Sequence, residues 1–162
     1  MSSDISIRHD LRPGDLGRIV ALHGMVYDSL PGFGIKFEAL VARTLAEFIF
    51  DFEGNGRIWM AERNGELVGC AAIVLRDGPV GQLRWVVVDP SARGIGLGKE
   101  LVSGTLRYCE EQACESVYLL TTNGLPESQA LYASLGFVET SRDLVDIWDG
   151  ERPLLRMELP LT

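Results

Sequence analysis

The sequence predicts an α/β fold in which helices cover a mixed β-sheet. Three observations carry this prediction: two early amphipathic segments, an Asn-Gly turn between apolar runs, and a buried strand leading through glycines into a helix. A chain of 162 residues is long enough for one domain with one sizeable core. We therefore expect a single domain over residues 1–162, with the element order β-α-α-β-β-β-α-β-α-β-β.

The N-terminal part is predicted to be mainly helical. Residues 6–8 suit a short strand, and a proline and an aspartate near position 14 suit the start of a helix that ends near Tyr27. A loop over residues 29–34 follows. Apolar residues then recur at helical spacing over about 37–52, which predicts a second amphipathic helix.

The middle of the chain begins with a predicted hairpin. Asn64-Gly65 separates the apolar runs 57–63 and 66–76, and this dipeptide is the strongest short signal for a two-residue hairpin turn. Residues 81–89 are predicted to form a further strand, because they contain a continuous apolar run. A helix over about 96–112 follows.

The C-terminal part is predicted to complete the sheet. Residues 116–121 are β-prone and should lie beside the strand 81–89, joined to it by a right-handed crossover. A helix over about 126–135 ends at a glycine suited to a C-cap. Residues 137–140 and 154–159 are expected to be the last two strands.

Composition and charge exclude several classes of protein. The 23 acidic and 15 basic residues give a net charge of -8, which opposes binding to nucleic acid and to anionic lipid. No apolar run reaches the length of a membrane span, and the N-terminus has no signal core, so we expect a cytoplasmic protein. Three scattered cysteines and two histidines predict neither a disulfide framework nor a metal site.

The strand, glycine turn and helix over residues 83–112 are predicted to bind phosphate. A helix N-terminus presents unpaired backbone N–H groups and the positive end of its dipole, and glycines let a ligand approach the backbone closely. A Walker loop does not fit, because Arg93 and Glu100 stand where that loop needs Gly and Ser or Thr. The alternating Gly94, Gly96 and Gly98 also depart from the Rossmann spacing.

Two segments resemble the GNAT superfamily of N-acetyltransferases. Arg93-Gly-Ile-Gly-Leu-Gly98 is similar to the superfamily's pyrophosphate-binding signature, and Ala130-Leu-Tyr-Ala-Ser-Leu-Gly-Phe137 is similar to its Leu-Tyr-x-x-x-Gly-Phe segment. Residues 37–41 and 89–94 also resemble the acetyltransferase half of MarR-fused GNAT proteins. The resemblance covers essentially the whole chain and implies the GNAT acyl-CoA N-acyltransferase fold, with a bulge that splays its fourth strand from the fifth.

The resemblance also implies a set of site residues. Acetyl-CoA is the implied co-substrate, with backbone amides from Arg93 to Lys99 holding its pyrophosphate and the fourth strand holding its pantetheine arm and acetyl group. Tyr132 occupies the position of the acid that protonates the departing thiolate. The implied acetyl-CoA-binding residues are Val86, Val87, Val88, Arg93, Gly94, Ile95, Gly96, Leu97, Gly98, Lys99 and Asn123.

The implied reaction is direct attack of a primary amine on the thioester within a ternary complex. The acceptor is expected to be a small molecule or a peptide, and the alternative is a catalytically silent acyl-CoA sensor. His23, Tyr27 and Phe33 are candidates to line the acceptor pocket. Trp148, with the aspartates at 146 and 149, hints at a site for a cationic amine. The base stays unassigned, and a homodimer is compatible with this fold.

Overall fold

The structure is a computed structural model that describes residues 4–161. Within this range the strands form one seven-stranded sheet in the order β1-β2-β3-β4-β5-β7-β6. The strands are β1 (Ile5–Arg8), β2 (Gly56–Arg63), β3 (Glu66–Arg76), β4 (Val80–Val88), β5 (Ser116–Thr121), β6 (Val138–Asp146) and β7 (Glu151–Pro160). The helices are α1 (Asp15–Tyr27), α2 (Ile35–Phe50), α3 (Leu97–Glu111) and α4 (Pro126–Ser134). The predicted fold class and element order are confirmed.

The last hairpin differs from the prediction. β6 and β7 stay paired as far as Asp146 and Glu151, so most of residues 141–153, which lie between the two predicted strands, is also strand. β6 lies at the edge of the sheet and nearly all its side chains are exposed, so it lacks the apolar alternation that identifies a half-buried strand. Only residues 147–150 form the turn.

Two hydrophobic cores lie on opposite faces of the sheet. On one face α1 and α2 pack through Ile19 and Leu45 against Met60. On the other, Leu101 of α3 packs with Ile73. Each fully buried side chain of this size contributes about 1.5–3 kcal/mol, and together they hold the helices against the sheet. Over residues 4–161 no helix combines the length and hydropathy that a membrane span needs.

A β-bulge in β4 opens the sheet between β4 and β5. The β3–β4 register moves from Cys70↔Val87 to Ala72↔Arg84, which leaves two β4 residues opposite one residue of β3. Trp85 takes a positive φ of 50° at this point. β4 and β5 pair in parallel over only three residues, 80–82 with 116–118, and then separate. The bulge and the splayed strands agree with the GNAT resemblance.

An ion-pair cluster ties the start of α1 to the edge of the sheet. The Arg8 guanidinium donates to both carboxylate oxygens of Asp15, at 2.9 and 2.7 Å, and to Glu62 at 2.8 Å. Asp15 is only 3% exposed and also accepts a hydrogen bond from the backbone N–H of Arg12. Because each charge is paired, burial of this cluster is tolerated.

Asp15→Asn should lower the free energy of unfolding at pH 7 by about 1.5–3 kcal/mol, because it replaces the carboxylate that accepts two Arg8 hydrogen bonds and leaves Arg8 with Glu62 as its close anionic partner. The exposed Glu139, which pairs with Arg142 on the surface, is the control, and Glu139→Gln should cost less than about 1 kcal/mol. Urea unfolding of both variants measures the difference.

The same cluster predicts a pH dependence. Hydrogen bonding from Arg8 holds the pKa of the Asp15 carboxyl below its ordinary value of 3.8. Its stabilisation is therefore fully present above the unfolded-state pKa and is lost as the pH falls through the lowered folded-state pKa. On acidification, the free energy of unfolding should fall less for Asp15→Asn than for the unsubstituted protein. The same fall in both proteins would contradict this assignment.

Candidate functional site

The chain between β4 and α3 forms a tight glycine turn. A short 3₁₀ turn (Pro90–Ala92) follows β4, with the Asp89 carboxylate accepting a hydrogen bond from the backbone N–H of Ser91 at 2.8 Å. Gly94 and Gly96 both have a φ of 80°, a conformation that glycine adopts without strain. A Cβ at either position would meet no atom within 4 Å. The turn therefore presents open backbone to solvent.

A row of backbone N–H groups in this turn has no acceptor. Within the described part of the chain, no hydrogen bond leaves the backbone N–H groups of residues 94–99. The first helical amides of α3 lack partners because an α-helix bonds each N–H to the carbonyl four residues earlier. Arg93 differs, because its N–H already donates to the Pro90 carbonyl at 3.3 Å. The free amides and the α3 dipole together make an anion site.

The turn forms one wall of a cavity of about 510 Å³, here called the cradle cavity. The end of α1 and the start of α4 supply the other walls. The predicted acetyl-CoA-binding residues that line it are Val86, Val87, Val88, Arg93, Gly94, Gly96, Leu97, Gly98 and Lys99. Ile95 and Asn123 are exposed and lie outside this lining, although Gly124, the neighbour of Asn123, belongs to it.

A second cavity of about 370 Å³ lies on the α1–α2 side of β4 and is here called the aromatic cavity. Six aromatic side chains line it: Tyr27, Phe33, Phe37, Trp85, Tyr132 and Trp148. The two cavities share the lining residues Tyr27, Val86, Leu125 and Ser128. They therefore meet where β4 and β5 separate, so a group bound in one cavity can contact a group bound in the other.

Two tyrosine hydroxyls lie near this junction. Tyr132 is 7% exposed on α4, and burial raises the pKa of its hydroxyl, with the neighbouring Tyr27 adding to the effect. No described residue forms a hydrogen bond with the Tyr132 hydroxyl, so its proton is available to a ligand. The Tyr27 hydroxyl donates to the Val86 carbonyl at 3.3 Å, and burial raises the pKa of Tyr27 to about 12. The contact between Tyr27 and Val86 joins residues far apart in sequence.

His23 lines the aromatic cavity and holds a fixed tautomer. Its Nδ1 lies 2.8 Å from the Ile19 carbonyl, which can only accept, so Nδ1 carries the proton. Its Nε2 is buried and has no partner within residues 4–161. Burial lowers the pKa of His23 to about 4, so the ring is neutral at pH 7 and Nε2 is unprotonated.

The lining of the aromatic cavity contains no carboxylate. Asp146 and Asp149 are exposed and lie outside it, so of the three residues proposed from sequence for a cationic amine only Trp148 reaches the cavity. The Trp148 indole N–H donates to the Gly32 carbonyl at 2.8 Å, which fixes the β6–β7 turn against the loop before α2. The sequence analysis missed Arg84, although a lone charge within an apolar strand was a usable signal.

The sequence profile described as "Acetyltransferase (GNAT) family" matches residues 25–137. Mycothiol acetyltransferase of Thermomonospora curvata is 34% identical over 100 residues, covering 62% of this chain and 33% of that protein. N-acetyltransferase 8 of Mus musculus is 36% identical over 117 residues, covering 67% of this chain and 50% of that protein. The chain thus spans a third to a half of the length of these curated relatives.

A solved structure agrees with the fold over nearly the whole chain. The GNAT-family acetyltransferase of Staphylococcus aureus Mu50 superposes with a TM-score of 0.79 at 18% identity, covering 98% of this chain and 99% of that one. The finer resemblance to MarR-fused proteins stays a prediction. The profile match and the curated relatives, with the splayed β4–β5 pair and its glycine turn, show that the chain belongs to the GNAT acetyltransferase family.

Proposed function

We propose that this chain is an acetyl-CoA-dependent N-acetyltransferase that acetylates a primary amine of a small molecule or peptide. The observation that carries the proposal is the meeting of two different cavities at Val86. One presents a row of free amides at a helix N-terminus, and the other is apolar with a protonated tyrosine facing it. Such a pair suits a phosphorylated donor on one side and an amine acceptor on the other.

The residues of the cradle cavity fit acetyl-CoA. The free N–H groups of residues 94–99 suit the pyrophosphate, and the open space beside Gly94 and Gly96 leaves room for it. Past Gln82, β4 has no hydrogen-bonded partner on its β5 side, so its backbone there can bind the amides of the pantetheine arm as an added strand would. Acetyl-CoA, when bound, supplies the activated acetyl group.

The residues at the junction account for positioning and proton transfer. The Tyr27 hydroxyl donates a hydrogen bond to the Val86 carbonyl, and this bond helps to fix the backbone at the point where the donor and acceptor meet. A backbone N–H near Val87 is the proposed donor to the thioester carbonyl oxygen. Tyr132 is protonated at neutral pH, as any tyrosine with its ordinary pKa of about 10 would be, and burial raises its pKa further. It can give that proton to the departing sulfur.

Titration calorimetry of the unsubstituted protein with acetyl-CoA, CoA and ATP tests the donor. We expect saturable binding of acetyl-CoA and CoA and a much smaller response to ATP, because only the first two carry the pantetheine arm. If none of the three compounds binds, the proposed donor site is wrong, and the proposed enzyme activity is wrong with it. Thiol release on addition of amines then tests for transfer.

Gly96→Trp should weaken acetyl-CoA binding by at least about 100-fold, because its side chain would occupy the open space of the cradle. Gly78→Trp is the matched control, since Gly78 has a similar φ of 76° and equally open surroundings at the other end of β4. Both should lose about 1–2 kcal/mol of stability from the unfavourable backbone conformation. Equal acetyl-CoA affinity in the two variants would contradict the assignment of the cradle.

Tyr132→Phe should retain acetyl-CoA affinity and lower kcat by about 100-fold, because the ring still fills its place while the proton donor is lost. Tyr108→Phe is the control, since Tyr108 is also buried but lines neither cavity. Steady-state thiol release measures both. If Tyr132→Phe leaves kcat unchanged, another group protonates the thiolate. If the unsubstituted protein binds acetyl-CoA but acetylates no amine, the silent acyl-CoA sensor is favoured.

A further inference from the structure

Among the described residues, Arg84 is the only charged side chain in the lining of the aromatic cavity at pH 7, because His23 is neutral. It precedes Trp85 in β4, and its guanidinium carbon lies 4.6 Å from the centroid of the Trp85 ring. Because the bulge falls here, Arg84 and Trp85 both contribute to the cavity wall. The sequence therefore places one cation in a wall that is otherwise apolar or uncharged.

This cation has no anionic partner in the described chain. No carboxylate of residues 4–161 forms an ion pair with Arg84, and Glu47, whose charge it senses, is exposed on α2. Burial lowers the pKa of Arg84, and the nearby Arg76 lowers it further. A partly desolvated guanidinium is costly until an anion pairs with it, so this wall favours a negatively charged ligand group.

The aromatic part of the lining favours a flat apolar group. Tyr27, Phe33, Phe37 and Trp148 form a continuous aromatic cluster, with ring centroids 5.0 Å apart for Tyr27 and Phe37 and 5.4 Å apart for Phe33 and Trp148. Such surfaces bind an aromatic ring by edge and offset contacts. A polyamine would bring further positive charges into a cavity that has no carboxylate to receive them and already holds Arg84.

We propose that the acceptor is a free amino acid with an aromatic side chain, and that Arg84 binds its carboxylate. This inference rests on the proposed function and names the substrate class of the same site. Arg84 lies two residues before Val86, at most about 7 Å along the strand, and an arginine side chain together with a carboxylate can bridge that distance. A peptide N-terminus has no carboxylate beside its amine, so it lacks the group that Arg84 would recognise.

The test compares two acceptors that differ only in the group beside the amine, which is a carboxylate in L-phenylalanine and a neutral carboxamide in L-phenylalaninamide. kcat/KM for each is measured in the unsubstituted protein, Arg84→Gln, Arg84→Lys and the control Arg43→Gln, whose side chain is exposed on α2 and lines neither cavity. Each acceptor is compared with itself across the variants, so the different basicity of the two amines cancels. Thermal unfolding and acetyl-CoA affinity verify that each variant is folded and binds the donor.

Arg84→Gln should lower kcat/KM for L-phenylalanine by about 10- to 100-fold and change that for the amide by less than about threefold, because only the first acceptor loses a charge-assisted pair. Arg84→Lys should recover part of the loss by restoring the charge. Arg43→Gln should change neither value.

Binding of the product gives a readout that does not depend on turnover. N-acetyl-L-phenylalanine should bind the CoA-loaded protein more tightly than N-acetyl-L-phenylalaninamide, and Arg84→Gln should remove that preference. Equal losses for both acceptors, or a preference for spermidine or a peptide N-terminus over L-phenylalanine, would overturn the inference while leaving the acetyltransferase intact. Absence of acetyl-CoA binding would instead overturn the proposed function, and the inference with it.

Discussion

The bulge at Trp85 is the constraint on which the architecture of the site depends. A regular β4 would continue to pair with β5, and neither cavity could open between them. The positive φ of Trp85 costs about 1–2 kcal/mol for a residue that has a Cβ. Three interactions offset this cost. The indole is buried, its N–H donates a hydrogen bond to the Thr44 hydroxyl at 3.1 Å, and the Cys70 thiol donates one to the Trp85 carbonyl at 3.0 Å. The surrounding core thus holds a backbone conformation that is unfavourable by itself.

The electrostatic field that favours an anion has a different source in each of the two cavities. In the cradle cavity the favourable field for an anion comes from backbone groups, which keep their dipoles at any pH, and from the cationic side chains of Arg93 and Lys99 in the lining. In the aromatic cavity it comes from one side chain, Arg84, within apolar walls. The protein as a whole carries a net charge of -8, so these local fields oppose the overall one. An anionic ligand is therefore attracted by the sites themselves and not by the molecule at a distance.

Local signals were sufficient to predict most of the fold. Asn64 and Gly65 both have positive φ, as the two-residue hairpin turn requires, and the glycine turn after β4 lies where its residue pattern indicated. The edge strand β6 was predicted too short because an exposed strand carries no burial pattern. The sequence analysis named His23, Tyr27, Phe33 and Trp148 as acceptor-site candidates, and all four line the aromatic cavity. Arg84 was missed, because it comes from a separate segment that only the tertiary fold brings beside them.

The placement of the three tryptophans gives the protein a built-in optical reporter. Trp85 and Trp148 line the aromatic cavity, whereas Trp59 packs against Tyr108 in the core on the other face of the sheet. An acceptor that displaces solvent from the cavity changes the surroundings of two of the three indoles. Emission from the unlabelled chain can therefore follow occupancy of this cavity in real time and without a coupled assay.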